Sequence, residues 1–259
     1  MMKKYENYKE LLFRLAKMDF KLRYHASVLG YVWAILKPLL LFAVMNFVFS
    51  NIFNFKNNGT PYYSLELLTG LLLFNFFAEG TTAGIASLVS KAQLVTKIYV
   101  PRWIIVVSST VNSLFVFLAN LVVLFLFFVL YHKVPSIAGI LMFIVYISCL
   151  YMLVVATGLL LAPLYVRFRD IGMIWEVLLS IFMYASPIVY PLTIMPPQIQ
   201  KIILLNPLAF VIYFGKQGLI QNHFSSAFQT VLFLAITLAT LVACGWLFRK
   251  TVRTVAEYI

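Results

Sequence analysis

The sequence predicts an all-α membrane protein with six transmembrane helices. An N-terminal amphipathic interfacial helix precedes them, and an outer re-entrant or interfacial helical hairpin separates spans five and six. Three observations carry this expectation. Of 259 residues, 63% are apolar and only 11% charged, with a mean hydropathy of +0.96. A soluble core of this size could not hide so much apolar surface, so the solvent must be lipid. The charges also collect at the ends of apolar runs, so the net charge of +12 forms no continuous basic face of the kind nucleic acid needs. Finally, Arg167, Arg169 and Asp170 sit between two apolar stretches that can each cross a bilayer. Such a cluster costs several kcal/mol in hydrocarbon and therefore marks a water-facing turn.

Residues 1–27 form the first unit. Over 3–25, Tyr5, Tyr8, Leu12, Leu15, Met18 and Leu22 recur at helical spacing, while Glu10, Arg14, Lys17 and Lys21 line another face. A basic amphipathic helix of this kind suits anionic lipid head groups. No short apolar core followed by a cleavage site is present, so no signal-peptide cleavage is expected. Residues 28–259 form the six-span unit.

The spans are expected at about 30–53, 64–89, 104–130, 137–164, 171–190 and 227–248. Lys37 in the first can snorkel toward the cytoplasmic head groups, and Pro38 permits a kink. A polar turn covers 54–61, and a charged break at 90–102 separates spans two and three. Ser186-Pro187 and Tyr190-Pro191 close span five, because proline removes backbone donors and restrains the residue before it. Within 192–224, two short apolar runs broken at Asn206-Pro207 read as the hairpin. Placing both termini in the cytoplasm leaves only Lys56, Lys133, Lys201 and Lys216 of twenty Lys and Arg residues outside. That is the positive-inside bias of a multi-pass plasma (inner) membrane protein.

Chemistry-bearing motifs are scarce. The chain has no Walker loop, no HExxH and no nucleophile elbow with plausible partners. Cys149 and Cys244 fall inside spans, where a thiol packs as a small hydrophobe; neither a disulfide framework nor a metal site is expected. Glu79 and Glu176 are the carboxylates within spans. Glu79 fits a wet cavity or a bond to a neighbouring helix, and it keeps an ion-coupled secondary carrier open as an alternative. Aromatic residues cluster at Tyr31 and Trp33 in span one, at Phe77 in span two, and at Trp175, Phe182, Tyr184 and Tyr190 in and after span five. Aromatic residues are common at lipid interfaces, and phenylalanine is ordinary membrane core. Trp175, Leu179, Phe182 and Ser186 share one helical face.

Several segments in order resemble one family. Leu29-Gly30-Tyr31-Val32-Trp33-Ala34 with Lys37-Pro38-Leu39-Leu40 looks like the start of the first span in type-2 ABC-transporter permeases, closest to the polysaccharide exporters of O-antigen, capsule and teichoic acid. Lys97-Ile98-Tyr99-Val100-Pro101-Arg102 is similar to that family's first cytoplasmic loop. Arg167-Phe168-Arg169-Asp170-Ile171, Ser186-Pro187-Ile188-Val189-Tyr190-Pro191 and Leu205-Asn206-Pro207-Leu208 reproduce its second-half signature. The resemblance covers nearly the whole chain.

It implies a homodimer docked on two copies of a separate ABC ATPase, which would bind ATP and magnesium, so that this chain needs no cofactor and is not itself an enzyme. It also implies a channel at the dimer interface for a lipid-pyrophosphate-linked polysaccharide, O-antigen first and teichoic acid or capsule as alternatives. Tyr31, Trp33, Phe77, Trp175, Phe182, Tyr184 and Tyr190 become candidate channel residues on which its sugar rings would stack. Lys91, Lys97, Tyr99, Val100 and Arg102 become candidates for ATPase coupling through a short helix. Arg167 and Arg169 become candidates for gripping pyrophosphate, which guanidinium binds bidentately and lysine does not. Asp170 is expected only to cap span five. A scaffold or a glycolipid-processing enzyme stays open as a further class.

Overall fold

A computed structural model describes residues 8–24, 29–52, 62–97 and 100–252. Among them every regular element is helical. In chain order these are α1 (Tyr8–Tyr24), α2 (Trp33–Phe47), α3 (Tyr63–Ser90), α4 (Ala92–Lys97), α5 (Arg102–Leu130), α6 (Ile137–Arg167), α7 (Ile171–Ala185), α8 (Pro197–Leu204), α9 (Pro207–Gln221) and α10 (Ala227–Thr251). Among the described residues, five segments are long and apolar enough to cross a membrane: Gly30–Ser50, which contains α2, and α3, α5, α6 and α10. At 15 residues, α7 spans about 22 Å, short of a hydrocarbon core of about 30 Å.

Proline chemistry explains where α7 stops. Span five was expected to continue to residue 190, but Ser186 adopts an extended conformation (φ −104°, ψ 146°) before Pro187, as steric clash with the proline ring demands. The chain then runs on as a buried non-helical strap, with Ser186 and Ile188 almost fully enclosed. The expected hairpin forms from α8 and α9, bent by 109° at Asn206-Pro207. Pro207 opens α9 at a position that needs no donor, and the Asn206 side chain accepts from the Leu208 N–H. Asp170 stands at the N-cap position of α7 without making a capping hydrogen bond; its helical φ and ψ keep the carboxylate from the first-turn amides.

The core is organised around α3, most of whose residues are buried. Small residues let its neighbours close in. A Cβ at Gly84 would lie 3.1 Å from the Gly158 Cα of α6, and one at Gly80 would lie 2.6 Å from Val154. Helices in lipid gain little from apolar burial, so close backbone approach supplies the packing instead. The Phe76 ring stacks on Phe117 of α5 at 4.7 Å between centroids. α10 packs on α6 and turns Phe228, Val231, Val242 and Trp246 outward, as a lipid-facing helix should.

α1 docks across α5. Leu15 and Ala16 are buried, Phe13 packs edge-on against Phe115, and Phe20 stacks on Tyr31. The buried stripe is therefore rotated from the one read in the sequence: Met18 is exposed, while Asp19 is drawn inward by a charge partner. Tyr5 lies outside the described residues.

Candidate transport groove and coupling face

A half-open groove of about 1120 Å³ lies between α2, α3 and α5. Helical spacing builds its walls. Asn75, Glu79, Thr82 and Ala86 recur every three or four positions along one face of α3, opposite Lys37, Leu41 and Val44 of α2. α5 contributes Asn112, Ser113, Phe117 and Asn120. A lysine at the centre of a lipid-facing helix costs about 2.5–3.5 kcal/mol. A groove carrying Lys37, Glu79 and three asparagines is accordingly costly to leave against lipid.

Pro38 determines part of this geometry. It has no N–H, so the Ala34 carbonyl one turn earlier loses its helical donor. Asn120 fills the gap, its Nδ2 donating to the Ala34 carbonyl at 3.1 Å. The proline that the sequence read as a possible kink is thus the point where α2 is fastened to α5. Higher up, Phe42 meets Phe127 edge-on at 5.3 Å, and the Ser64 hydroxyl donates to Asn46 at 2.7 Å. The side-chain oxygens of Asn112 and Asn120 are buried with no hydrogen-bond partner among the described residues.

The aromatic residues are divided between packing and exposure. Trp175 is buried, its indole N–H donating to the Thr81 hydroxyl at 3.0 Å and its ring 6.2 Å from Phe77 and 6.3 Å from Phe182. These three side chains join α7 to α3, so the face of α7 read as pore-lining is the one this chain packs against itself. Met173, Val177, Ile181 and Tyr184 form the exposed face instead. Tyr190 donates to the Tyr184 carbonyl at 3.2 Å. Tyr31 stacks on Phe20, and Trp33 is exposed beside it; neither lines the groove.

The charged edge after α6 is exposed throughout. Arg167 lies over the Phe168 ring at 5.2 Å and Arg169 over Tyr165 at 5.6 Å, so both guanidinium groups are presented on aromatic platforms at the surface.

Of the coupling candidates, Lys91 is not presented outward. Its ammonium lies 2.5 Å from the Asp19 carboxylate of α1 and 2.9 Å from the Ser109 hydroxyl of α5. It ties the end of α3 to the surface helix. Arg102 donates to the Val252 carbonyl near the end of α10, and Val100 packs against the second apolar cluster, which contains Val106 and Phe248. Lys97 ends α4, and Tyr99 lies outside the described residues.

One polar cluster escaped the sequence reading. Lys216, counted there among the outer-loop cations, is fully buried on α9. It donates to the Pro187 carbonyl at 2.6 Å and lies 4.0 Å from Glu66 of α3, which accepts from Gln221 at 2.5 Å. Tyr63 donates to the Val189 carbonyl at 2.6 Å. Strap, hairpin and α3 are thereby locked together. The available signal was a lysine inside an apolar run, together with a glutamate in the first turn of a span.

The chain is similar to known transport proteins. Residues 10–220 match the family model described as ABC-2 type transporter. Over 250 residues the chain is 26% identical to the O-antigen export system permease protein RfbA of Klebsiella pneumoniae, an alignment covering 96% of this chain and 95% of that protein. A protein of the same description from Myxococcus xanthus is 25% identical over 254 residues, covering 97% and 96%. The polysialic acid transport protein KpsM of Escherichia coli is 22% identical over 227 residues, covering 86% of each. Matched over most of its length, and built as a multi-pass helical membrane protein, this chain belongs to the ABC-2 type transporter family as a membrane transport subunit.

Proposed function

We propose that the chain is the permease half of an ATP-driven exporter of a lipid-pyrophosphate-linked polysaccharide, O-antigen before capsule or teichoic acid. Two copies would work with two copies of a separate ABC ATPase in the plasma (inner) membrane, with both termini cytoplasmic. The observation that carries this reading is the near full-length likeness to O-antigen export permeases, higher in identity than the likeness to the polysialic acid transporter. The groove supports it. A polar path open on one side is costly against lipid, and a second copy facing it would close it into a channel. The exposed face of α7, with Glu176 and Tyr184, is a second surface that such a copy could cover.

Arg167 and Arg169 remain the candidates for the pyrophosphate at the cytoplasmic entry, and the α3–α5 connection the candidate for ATPase docking. Deleting the gene should strand the glycan inside, and restoring it together with the ATPase should return glycan to the surface. Export that persists with a hydrolysis-dead ATPase would refute the proposal. Because Glu79 lines the groove, an ion-coupled carrier is the reading to set against it: that alternative predicts export abolished by Glu79→Gln and indifferent to ATP.

A further inference from the structure

We infer that Lys37 is an intramembrane contact for a negative charge carried by the cargo, a phosphate or a sugar carboxylate. The inference rests on the exporter reading and adds a specificity-determining residue to it. Contacts fix the depth of Lys37. Ala34 is bonded by Asn120 and Phe42 packs on Phe127, so Lys37 lies opposite the stretch of α5 between those two residues. Asn120 is about 27 Å along the helix from Arg102 but only about 15 Å from Leu130. Lys37 therefore stands well inside the span, too far from the Arg102 end for its side chain to snorkel there, and its exposed side chain lines the groove.

Among the described residues no acid faces it at that level. Gly80 lies against Ser113, which puts Glu79, the acidic residue of the groove, about 13 Å along the axis from Lys37. The indole of Trp175 bonds Thr81, so Glu176 on the outer face of α7 sits at the depth of Glu79. A second copy related by a twofold along the membrane normal would present both acids at that same depth, again away from Lys37. Glu66 is held by Gln221 and lies beside Lys216. A cation kept in a membrane groove with no acid among the described residues facing it, Glu66 being held by Gln221 and Lys216, fits a passing anion. The acidic residues nearer the Arg102 end would repel that anion, so it would be held briefly rather than trapped.

The test uses the permease–ATPase complex in nanodiscs and reads stimulation of ATP hydrolysis. Two probes are compared: a polyprenyl pyrophosphate carrying a neutral oligosaccharide, and the same lipid carrying one with uronic acids. Lys37→Met removes the charge and suits an apolar span, so it should insert; Lys37→Arg keeps the charge. Loss of one charge-assisted contact should raise the half-maximal probe concentration about tenfold in Lys37→Met and little in Lys37→Arg. A shift with both probes assigns the contact to the pyrophosphate, and a shift with the uronic acid probe alone assigns it to the repeat. Unchanged stimulation of Lys37→Met by both probes, with the wild type responding, overturns the inference and leaves the exporter reading standing. A wild type that neither probe stimulates overturns the exporter reading, and the inference falls with it.

Discussion

Replacing Asn120 by leucine tests how α2 is fastened to the rest of the protein. The two side chains are close in volume, so the change removes hydrogen bonding with little change in packing. Asn120 Nδ2 serves two carbonyls, Ala34 at 3.1 Å and Val116 at 2.9 Å. The second already receives the backbone N–H of its own helix, so its loss costs little. The first lacks its ordinary helical donor, because Pro38 holds the position that would supply it. A buried carbonyl left unpaired costs about 1–3 kcal/mol, and hydrogen bonds between helices in membranes have measured up to about 1.7 kcal/mol. We therefore expect Asn120→Leu to destabilise the protein by about 1–2 kcal/mol, read as a shift in its unfolding midpoint on SDS titration from mixed micelles.

The decisive comparison is the same substitution in a Pro38→Ala background, where residue 38 regains an N–H for the Ala34 carbonyl. Asn120→Leu should then cost only a few tenths of a kcal/mol, a coupling of about 1 kcal/mol between residues 38 and 120. Equal costs in both backgrounds would refute the idea that the asparagine substitutes for the missing helical donor.

Three further expectations follow from the packing. Gly84→Ala should cost about 1–3 kcal/mol of unfolding stability, because its Cβ would meet the Gly158 backbone; Gly245→Ala, with nothing within 4 Å, should lie within about 0.5 kcal/mol of wild type. Lys216→Met alone leaves Glu66 buried and should cost about 3–5 kcal/mol, whereas Glu66→Gln with Lys216→Met should recover most of it, with protease resistance of the α8–α9 hairpin as the readout. Asp19→Ala removes the partner of Lys91 and should loosen α1, so that a cysteine placed at the buried Ala16 is labelled faster by a water-soluble thiol reagent; unchanged labelling would show that the aromatic contacts of Phe13 and Phe20 hold the helix unaided.

Where charge or proline breaks an apolar run, the sequence located the elements well. Helices begin at Ile137, Ile171 and Ala227 where hydropathy set the starts of spans, and the hairpin bends at Asn206-Pro207. These features are local, and hydrocarbon enforces them strongly. The face of α7 was harder. Trp175, Leu179 and Phe182 recur on one side, but in a helix with apolar residues on every face, periodicity cannot say whether a face meets lipid, protein or cargo. Thr81, 94 residues away in sequence, accepts the Trp175 N–H and decides it. The buried stripe of α1 moved for a similar reason, since the distant ammonium of Lys91 draws Asp19 inward.

That contrast points to the residues that carry tertiary information in such a chain. In water, apolar patterning tells a helix which side to bury, whereas in lipid both sides are apolar and the pattern goes silent. Polar atoms inside the spans must then find partners or line a hydrated path, and each choice leaves a trace. Asn120 completes a carbonyl that proline left open, Lys216 and Glu66 close on each other and on the strap, and Asn75, Glu79 and Lys37 fall on one groove. All of them are visible as polar letters in apolar runs. Their partners are not, because each lies on another helix, 86 residues away for Asn120 and 150 for Glu66 with Lys216. The same logic explains why the groove was legible only through Glu79: one carboxylate in a span announces water, but only the fold shows which helices share it.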